Sequence, residues 1–155
     1  FKTFSNKNPN EKLLIFGEGE LKKEMENEIY DNNLSQKVKI FNFTDEIYYF
    51  MKKSKALIMP SIWEELCLVI VEAAMCNTLV ISSNCKNGPE EFLLNGNAGL
   101  LFKNNKKDDL SNKLSEFLKM NKDQILKKKI LAKKNCSKFT MFNHYKKIEY
   151  ILNSN

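Results

Sequence analysis

Short apolar runs alternate with helix-spaced segments along most of this chain. Leu13 to Phe16 is an apolar run closed by Gly17-Glu18-Gly19, and Leu21, Met25, Glu28 and Ile29 then follow at helical spacing, which predicts a strand, a glycine turn and a helix. The alternation recurs as Val38 to Phe41 then Asp45 to Lys53, Ala56 to Met59 then Leu68 to Cys76, Leu79 to Ser82 then Pro89 to Leu94, and Gly99 to Phe102 then Asp108 to Met120. Such strand-helix repeats in succession predict an α/β fold with a parallel sheet flanked by helices. Leu79-Val80-Ile81 shows no polar alternation, which predicts a strand buried on both faces. Beyond Met120 the pattern is purely helical, with Asp123 to Asn135 and Phe142 to Leu152 as the helices. Residues 1–120 therefore read as the domain and residues 121–155 as helices packed on it as a tail. Phe1 to Asn6 reads as the end of a helix, because Phe1 and Phe4 share a face with no cap in front of them, so the chain is expected to be cut from a longer one.

Composition narrows the chemistry. A chain of 155 residues with 43% apolar content suffices for one domain that folds without metal or disulfide. Cys67, Cys76, Cys85 and Cys136 show no Cys-x-x-Cys spacing and no histidine cluster, so they read as free thiols in a reducing cytosol, with no metal site. His144, the only histidine, lies on the helical tail and reads as a surface residue. The net charge of +6 comes from 25 basic residues, all lysine, against 19 acidic ones. Lysine and asparagine are abundant everywhere, and neither aromatic-basic interleaving nor a recognition helix is present, so nucleic acid is not expected as a partner. Ile125 to Lys138 has the pattern of a basic amphipathic helix, suited to an anionic membrane surface, although packing of its apolar side on its own domain is the favoured reading. No apolar run approaches the roughly 20 residues of a membrane span, and no signal-peptide pattern opens the chain. The expected location is the cytoplasm, with peripheral contact at the inner membrane surface as an extension of it.

The most informative polar residue is Glu72, which stands in the apolar stretch from Leu66 to Met75, with Glu64 shortly before it. A carboxylate in such company needs a partner, and the stretch supplies neither Lys nor Arg, which makes a ligand carrying donor groups a candidate. Ligands of open parallel sheets collect at the carboxyl ends of the strands. The loop Pro60 to Cys67 lies there and delivers Glu64 ahead of the helix that carries Glu72. Backbone N–H groups near Leu66, Cys67 and Leu68 would form an anion site for a diphosphate, and Glu72 would chelate a vicinal diol. Gly17 and Gly19 would let the backbone approach a phosphate or base, although a plain tight turn explains them equally. Thr44 or Asp45 is placed to cap a helix, and Asn87-Gly88-Pro89-Glu90-Glu91 reads as a helix start with Pro at its first position.

These residues resemble a known family. Ser61-Ile-Trp-Glu64-Glu-Leu-Cys-Leu-Val-Ile-Val-Glu72-Ala is similar to the Glu-x7-Glu signature of retaining glycosyltransferases of family 4, which have the two-Rossmann-domain GT-B fold. Leu14-Ile-Phe-Gly17-Glu-Gly19-Glu-Leu21, Lys55-Ala-Leu-Ile-Met-Pro60-Ser61 and Val80-Ile-Ser-Ser-Asn-Cys-Lys-Asn-Gly88-Pro89-Glu90-Glu91 resemble further blocks of that family, in its order. The resemblance covers the chain to about Asp109. It implies a Rossmann-like, nucleotide-sugar-binding C-terminal half of a GT-B enzyme that transfers a hexose, from a UDP-sugar by family habit, to a glycan or glycolipid of the cell envelope. It implies Glu64 as the catalytic group at the transferred sugar and Glu72 as the ribose ligand. Leu66, Cys67, Leu68 and Val69 would hold sugar and phosphates through their backbone, and Phe43 and Thr44 would border the base. No metal or other cofactor is implied. The partner implied is an N-terminal acceptor-binding domain, without which this piece would not turn over.

Departures from the family pattern sharpen the expectations. Glu65 and Cys67 stand where the family often has glycine, and Asn77 and Leu79 where it favours Gly and Pro. Asn77 is a mild change because Asn tolerates a left-handed backbone. The replaced glycines support an alternative, a non-catalytic nucleotide-sugar-binding or assembly module on the same fold. A related epimerase or phosphorylase would need histidine or lysine-cofactor signatures that are not found.

Overall fold

The computed structural model describes residues 1–154 and divides the chain into two compact units, one up to Ile47 and one from Tyr48 onward. In the first unit, helix α1 (Lys2–Lys7) precedes strand β1 (Leu13–Phe16), helix α2 (Lys22–Asp31) and strand β2 (Val38–Phe41). The two strands pair in parallel with Leu13 opposite Val38 and Phe16 opposite Phe41, and the rings of that last pair stack with centroids 5.1 Å apart. Gly17 prolongs the ladder by donating its N–H to the Phe41 carbonyl at 3.0 Å. Buried Phe4 and Val38 form the small core of this unit, and the Lys37 ammonium donates to the Ser5 carbonyl at 3.0 Å to tie α1 down.

The second unit opens with helix α3 (Ile47–Lys53), whose first residue lies on the other side of the boundary. It contains strand β3 (Ala56–Met59), helix α4 (Leu68–Met75), strand β4 (Leu79–Ser83), helix α5 (Pro89–Phe92) and strand β5 (Leu100–Phe102). Helices α6 (Lys107–Lys119), α7 (Lys122–Cys136) and α8 (Met141–Asn153) complete it. Its sheet runs β3-β4-β5, all parallel, and the central β4 is buried at every residue. Burying Leu79, Val80 and Ile81 contributes about 2 kcal/mol each, which explains a strand with no polar alternation. Gly99 permits this sheet to close, because a Cβ there would lie 2.7 Å from the Val80 carbonyl oxygen. Helix α4 packs on β3 and β4 through Ile70, Ala73 and Ala74, none more than 1% exposed.

Each predicted strand and helix is present with only its ends adjusted, and parallel pairing holds throughout, distributed over two hydrogen-bonded sheets. The tail differs in one respect from its expected packing. Helix α7, started by an Asn121–Gln124 capping box, faces the domain with Lys128, Ala132, Asn135 and Cys136, while Leu126, Ile130 and Leu131 stay exposed. Polar groups decide this face. The Lys128 ammonium donates to the carbonyls of Gly96 and Gly99 at 2.5 and 2.9 Å, and the Asn135 amide donates to the Phe92 carbonyl at 2.8 Å. These satisfy carbonyls that an apolar stripe would leave unpaired. None of the residues of α8 is buried.

Candidate functional site

The loop between β3 and α4 is held by side chains from the ends of its neighbouring strands. The Ser61 hydroxyl donates to Oε1 of Glu64 at 2.5 Å, which fixes the half-buried carboxylate on the loop. Ser83, at the end of β4, donates its hydroxyl to the Ser61 carbonyl at 2.5 Å. Asn104, just past β5, donates its amide to the Ile62 carbonyl at 2.7 Å and its backbone N–H to Oδ1 of Asn84 at 2.8 Å. Asn84 in turn reaches Oε1 of Glu90 at 3.3 Å. The carbonyl oxygen of the Asn104 side chain is buried without a protein donor among the described residues. Ser83, Asn84 and Asn104 were not singled out from the sequence. Their position at the carboxyl ends of β4 and β5 is the signal that could have found them.

Cys67 closes the loop in a left-handed conformation, φ +49°, as the residue before α4. That backbone explains why a glycine would suit the position. The thiol is turned inward, 3% exposed, and donates to the Asn87 carbonyl at 3.1 Å. Gly88, at φ +123°, leaves room for it, since a Cβ at Gly88 would lie 2.9 Å from Sγ of Cys67. Burial pushes the thiol up to about 11, helped by the nearby Glu64 carboxylate and by Cys85. Asn87-Gly88-Pro89 is therefore a helix start, with Pro89 in its first turn, and also the seat of the Cys67 side chain. Glu65 is exposed and has no left-handed backbone, so nothing strains it, whereas Asn77 takes the left-handed form, φ +59°. The N–H groups of Leu66, Cys67, Leu68 and Val69 meet no protein acceptor among the described residues, as expected of a helix entrance.

Glu72 is placed differently from the expectation of a carboxylate sunk among apolar side chains. Helical periodicity sets it on one face with Leu68 and Met75, both exposed, opposite the face that packs through Ile70, Ala73 and Ala74. It is half-buried, and the hydroxyl of Tyr48 donates to its Oε1 at 3.1 Å. That bond, and then the charge of Glu72, raises the Tyr48 phenol above its ordinary value. No cation pairs with Glu72 among the described residues. Tyr48 is the neighbour of Glu72 that the sequence did not reveal, because it lies on α3, twenty-four positions upstream of Glu72 and outside any motif.

In the first unit, the Gly17–Gly19 turn and the Phe43–Thr44 loop meet. The Phe43 N–H donates to Oε1 of Glu18 at 3.4 Å, and Lys22 bonds to Asn42. Phe43 is 77% exposed, and nothing lies within 4 Å of a Cβ built at Gly17 or Gly19. The space expected of a backbone approach is therefore present. Thr44 accepts from the Glu46 N–H at 3.1 Å, a turn ahead of α3. His144 is exposed on α8. Among the described residues no group of His, Cys, Asp and Glu is arranged to hold a metal ion, and no helix is long and apolar enough to cross a membrane.

Residues 1–135 match the family described as Glycosyl transferases group 1. An uncharacterized glycosyltransferase of Methanocaldococcus jannaschii is 39% identical over 93 residues, 60% of this chain and 23% of that protein. A UDP-Gal:alpha-D-GlcNAc-diphosphoundecaprenol alpha-1,3-galactosyltransferase of Escherichia coli is 29% identical over 146 residues, 92% of this chain and 36% of that protein. Among solved structures, a mutant of S. aureus TarM in complex with fondaparinux, alpha-GlcNAc-glycerol and UDP superposes with a TM-score of 0.88 at 23% identity, over 98% of this chain and 31% of TarM. The chain thus spans about a quarter to a third of the length of these relatives.

Proposed function

This chain belongs to the glycosyl transferases group 1 family and has the α/β fold of GT-B glycosyltransferases, and from that premise we propose that it is the C-terminal, nucleotide-sugar-binding half of a retaining enzyme. The reaction assigned to it moves a hexose from a UDP-sugar to a glycan or glycolipid acceptor of the cell envelope. The observation that carries this reading is the succession of Glu64, the unpaired N–H groups of Leu66 to Val69 and Glu72 along one braced loop and the helix it opens. A diphosphate suits the helix entrance, where free N–H groups and the helix dipole favour negative charge. Glu72, about one turn along the helix, suits a ribose diol. Glu64 stands at the loop end of the series, where it would stabilise the positive charge that develops on the sugar as the diphosphate departs. UDP in the S. aureus structure, and the UDP-galactose donor in the name of the E. coli relative, support the choice of nucleotide.

Residues 1–120 are assigned as the nucleotide-sugar domain, with Gly17, Gly19, Phe43 and Thr44 as its base and phosphate edge, and residues 121–155 as its helical tail. Acceptor binding is assigned to an N-terminal domain, so this chain by itself is expected to bind donor without turning over. The working place proposed is the cytoplasmic membrane surface. The exposed Phe142, Tyr145 and Ile151 of α8, with Lys138, Lys146 and Lys147 close in sequence, support peripheral contact with anionic lipid. Failure to sediment with phosphatidylglycerol vesicles at low salt would remove that part of the proposal.

Calorimetry with UDP tests the core of it. Glu72→Ala should weaken UDP binding about tenfold to a hundredfold, the loss of charge-assisted hydrogen bonds to a diol. Equal affinity in the variant and the wild type removes Glu72 from the ribose.

A further inference from the structure

Glu72 has a protein partner, and the character of that partner matters. Tyr48 projects from α3 and Glu72 from α4, and the contact is a single hydrogen bond of 3.1 Å from the phenol to Oε1. No other side chain donates to Glu72, and no cation neutralises it, among the described residues. A carboxylate has two oxygens and about four acceptor positions. Tyr48 uses one of these and leaves Oε2 and the second lone pair of Oε1 available. A lysine in the same place would cancel the charge and compete with an incoming hydroxyl, whereas a neutral phenol orients the carboxylate and leaves its charge intact.

We propose that Tyr48 is a positioning residue for the nucleotide ribose, holding Glu72 by one oxygen so that the other is ready for the sugar hydroxyls. The inference rests on the assignment of Glu72 to the ribose. A glutamate on the open face of a helix has several rotamers, and ordering it when ligand arrives costs affinity. The bond to Tyr48 removes part of that cost in advance. Tyr48 is 48% exposed and close to the helix face that Glu72 shares with Leu68 and Met75, so its hydroxyl serves this contact rather than the core. A tyrosine phenol is protonated throughout the neutral range, so the donor proton is in place.

The test separates a positioning role from a simple staple between α3 and α4. Calorimetry on the protein uses two probes, UDP and 2′,3′-dideoxyuridine diphosphate, which lacks the diol. Tyr48→Phe removes one oxygen from a half-exposed ring, so folding is not at stake, and the melting temperature is recorded alongside. The expected result is a loss of about threefold to tenfold in UDP affinity, with no change for the dideoxy probe and no further loss when the substitution is made in a Glu72→Gln background. Equal weakening of both probes with a lowered melting temperature identifies a staple and overturns the proposal. Unchanged UDP affinity in Tyr48→Phe, while Glu72→Ala weakens it, overturns the proposal and leaves the ribose assignment standing. Unchanged UDP affinity in Glu72→Ala, or no UDP binding by the wild type, removes the ribose assignment and the role of Tyr48 with it.

Discussion

The loop after β1 and the loop after β3 occupy the same topological place, the carboxyl end of a parallel strand, and are built in opposite ways. The first is made of backbone. Gly17 and Gly19 have no neighbour within 4 Å of where a Cβ would be, and the turn is tied to its surroundings mainly by the main chain. The second is made of side chains. Ser61, Ser83, Asn84 and Asn104 brace it, and Cys67 is locked against Gly88. A loop of open backbone can approach a ligand closely, while a braced loop can hold a charged side chain at a fixed place. Precise orientation of a reacting group needs the second kind. Glu64, proposed above as the group at the transferred sugar, is found on it.

The contrast breaks most severely at Glu64. Glu64→Ala in the intact enzyme should retain UDP-sugar binding and lower kcat by about a hundredfold to a thousandfold, the usual loss when one oriented group at developing charge is removed. Unchanged steady-state transfer rates in that variant would take catalysis away from the braced loop. The glycines offer a direct comparison of the two constructions. Gly88→Ala must fit a methyl 2.9 Å from the Cys67 sulfur at φ +123°, and should cost about 2 kcal/mol or more. Gly17→Ala meets no atom and bears only its backbone strain at φ +150°, about 1 kcal/mol. Urea midpoints for the two variants give the ranking, and a reversed order would show that the loops had been distinguished wrongly.

The smallest effect is a matter of pH. Burial holds the Cys67 thiol up to about 11 from its ordinary 9.0, so the folded chain keeps a proton that the unfolded chain gives up. The stability that follows is complete below pH 9.0 and is lost as pH rises through about 11, because the unfolded state binds fewer protons in that window. Urea melts of wild type and Cys67→Ala across the alkaline range should show a steeper decline in the wild type. Labelling of native Cys67 by maleimide at pH 8 at the rate of a free cysteine would contradict the burial that causes the shift.

The Glu64–Glu72 pair and the strand ends were legible because each depends on local order. Apolar runs of strand length lie at Leu13–Phe16, Val38–Phe41, Ala56–Met59, Leu79–Ser83 and Leu100–Phe102, as the runs had indicated. The tolerance of Asn77 for a left-handed backbone was legible for the same reason. What Glu72 meets was not. An apolar stretch in sequence suggested immersion, yet the turn of the helix sends its packed side toward Ile70, Ala73 and Ala74 and leaves Glu72 beside exposed Leu68 and Met75. The packed face of α7 was misjudged similarly, since Lys128 and Asn135 are drawn inward by carbonyls of Gly96, Gly99 and Phe92 that are far away in the chain.

The amino-acid order by itself determined the alternation of strands and helices, the parallel pairing and the placement of two glutamates around a helix entrance, because periodicity and turn chemistry act over a few neighbouring residues. Only the tertiary structure decided that Tyr48 would be the donor to Glu72, that Ser83 and Asn104 would brace the loop of Glu64, and that the Cys67 thiol would turn inward against Gly88. Those contacts join residues brought together by packing. Their partners are chosen by which faces the sheet buries, a property that no short stretch of sequence carries.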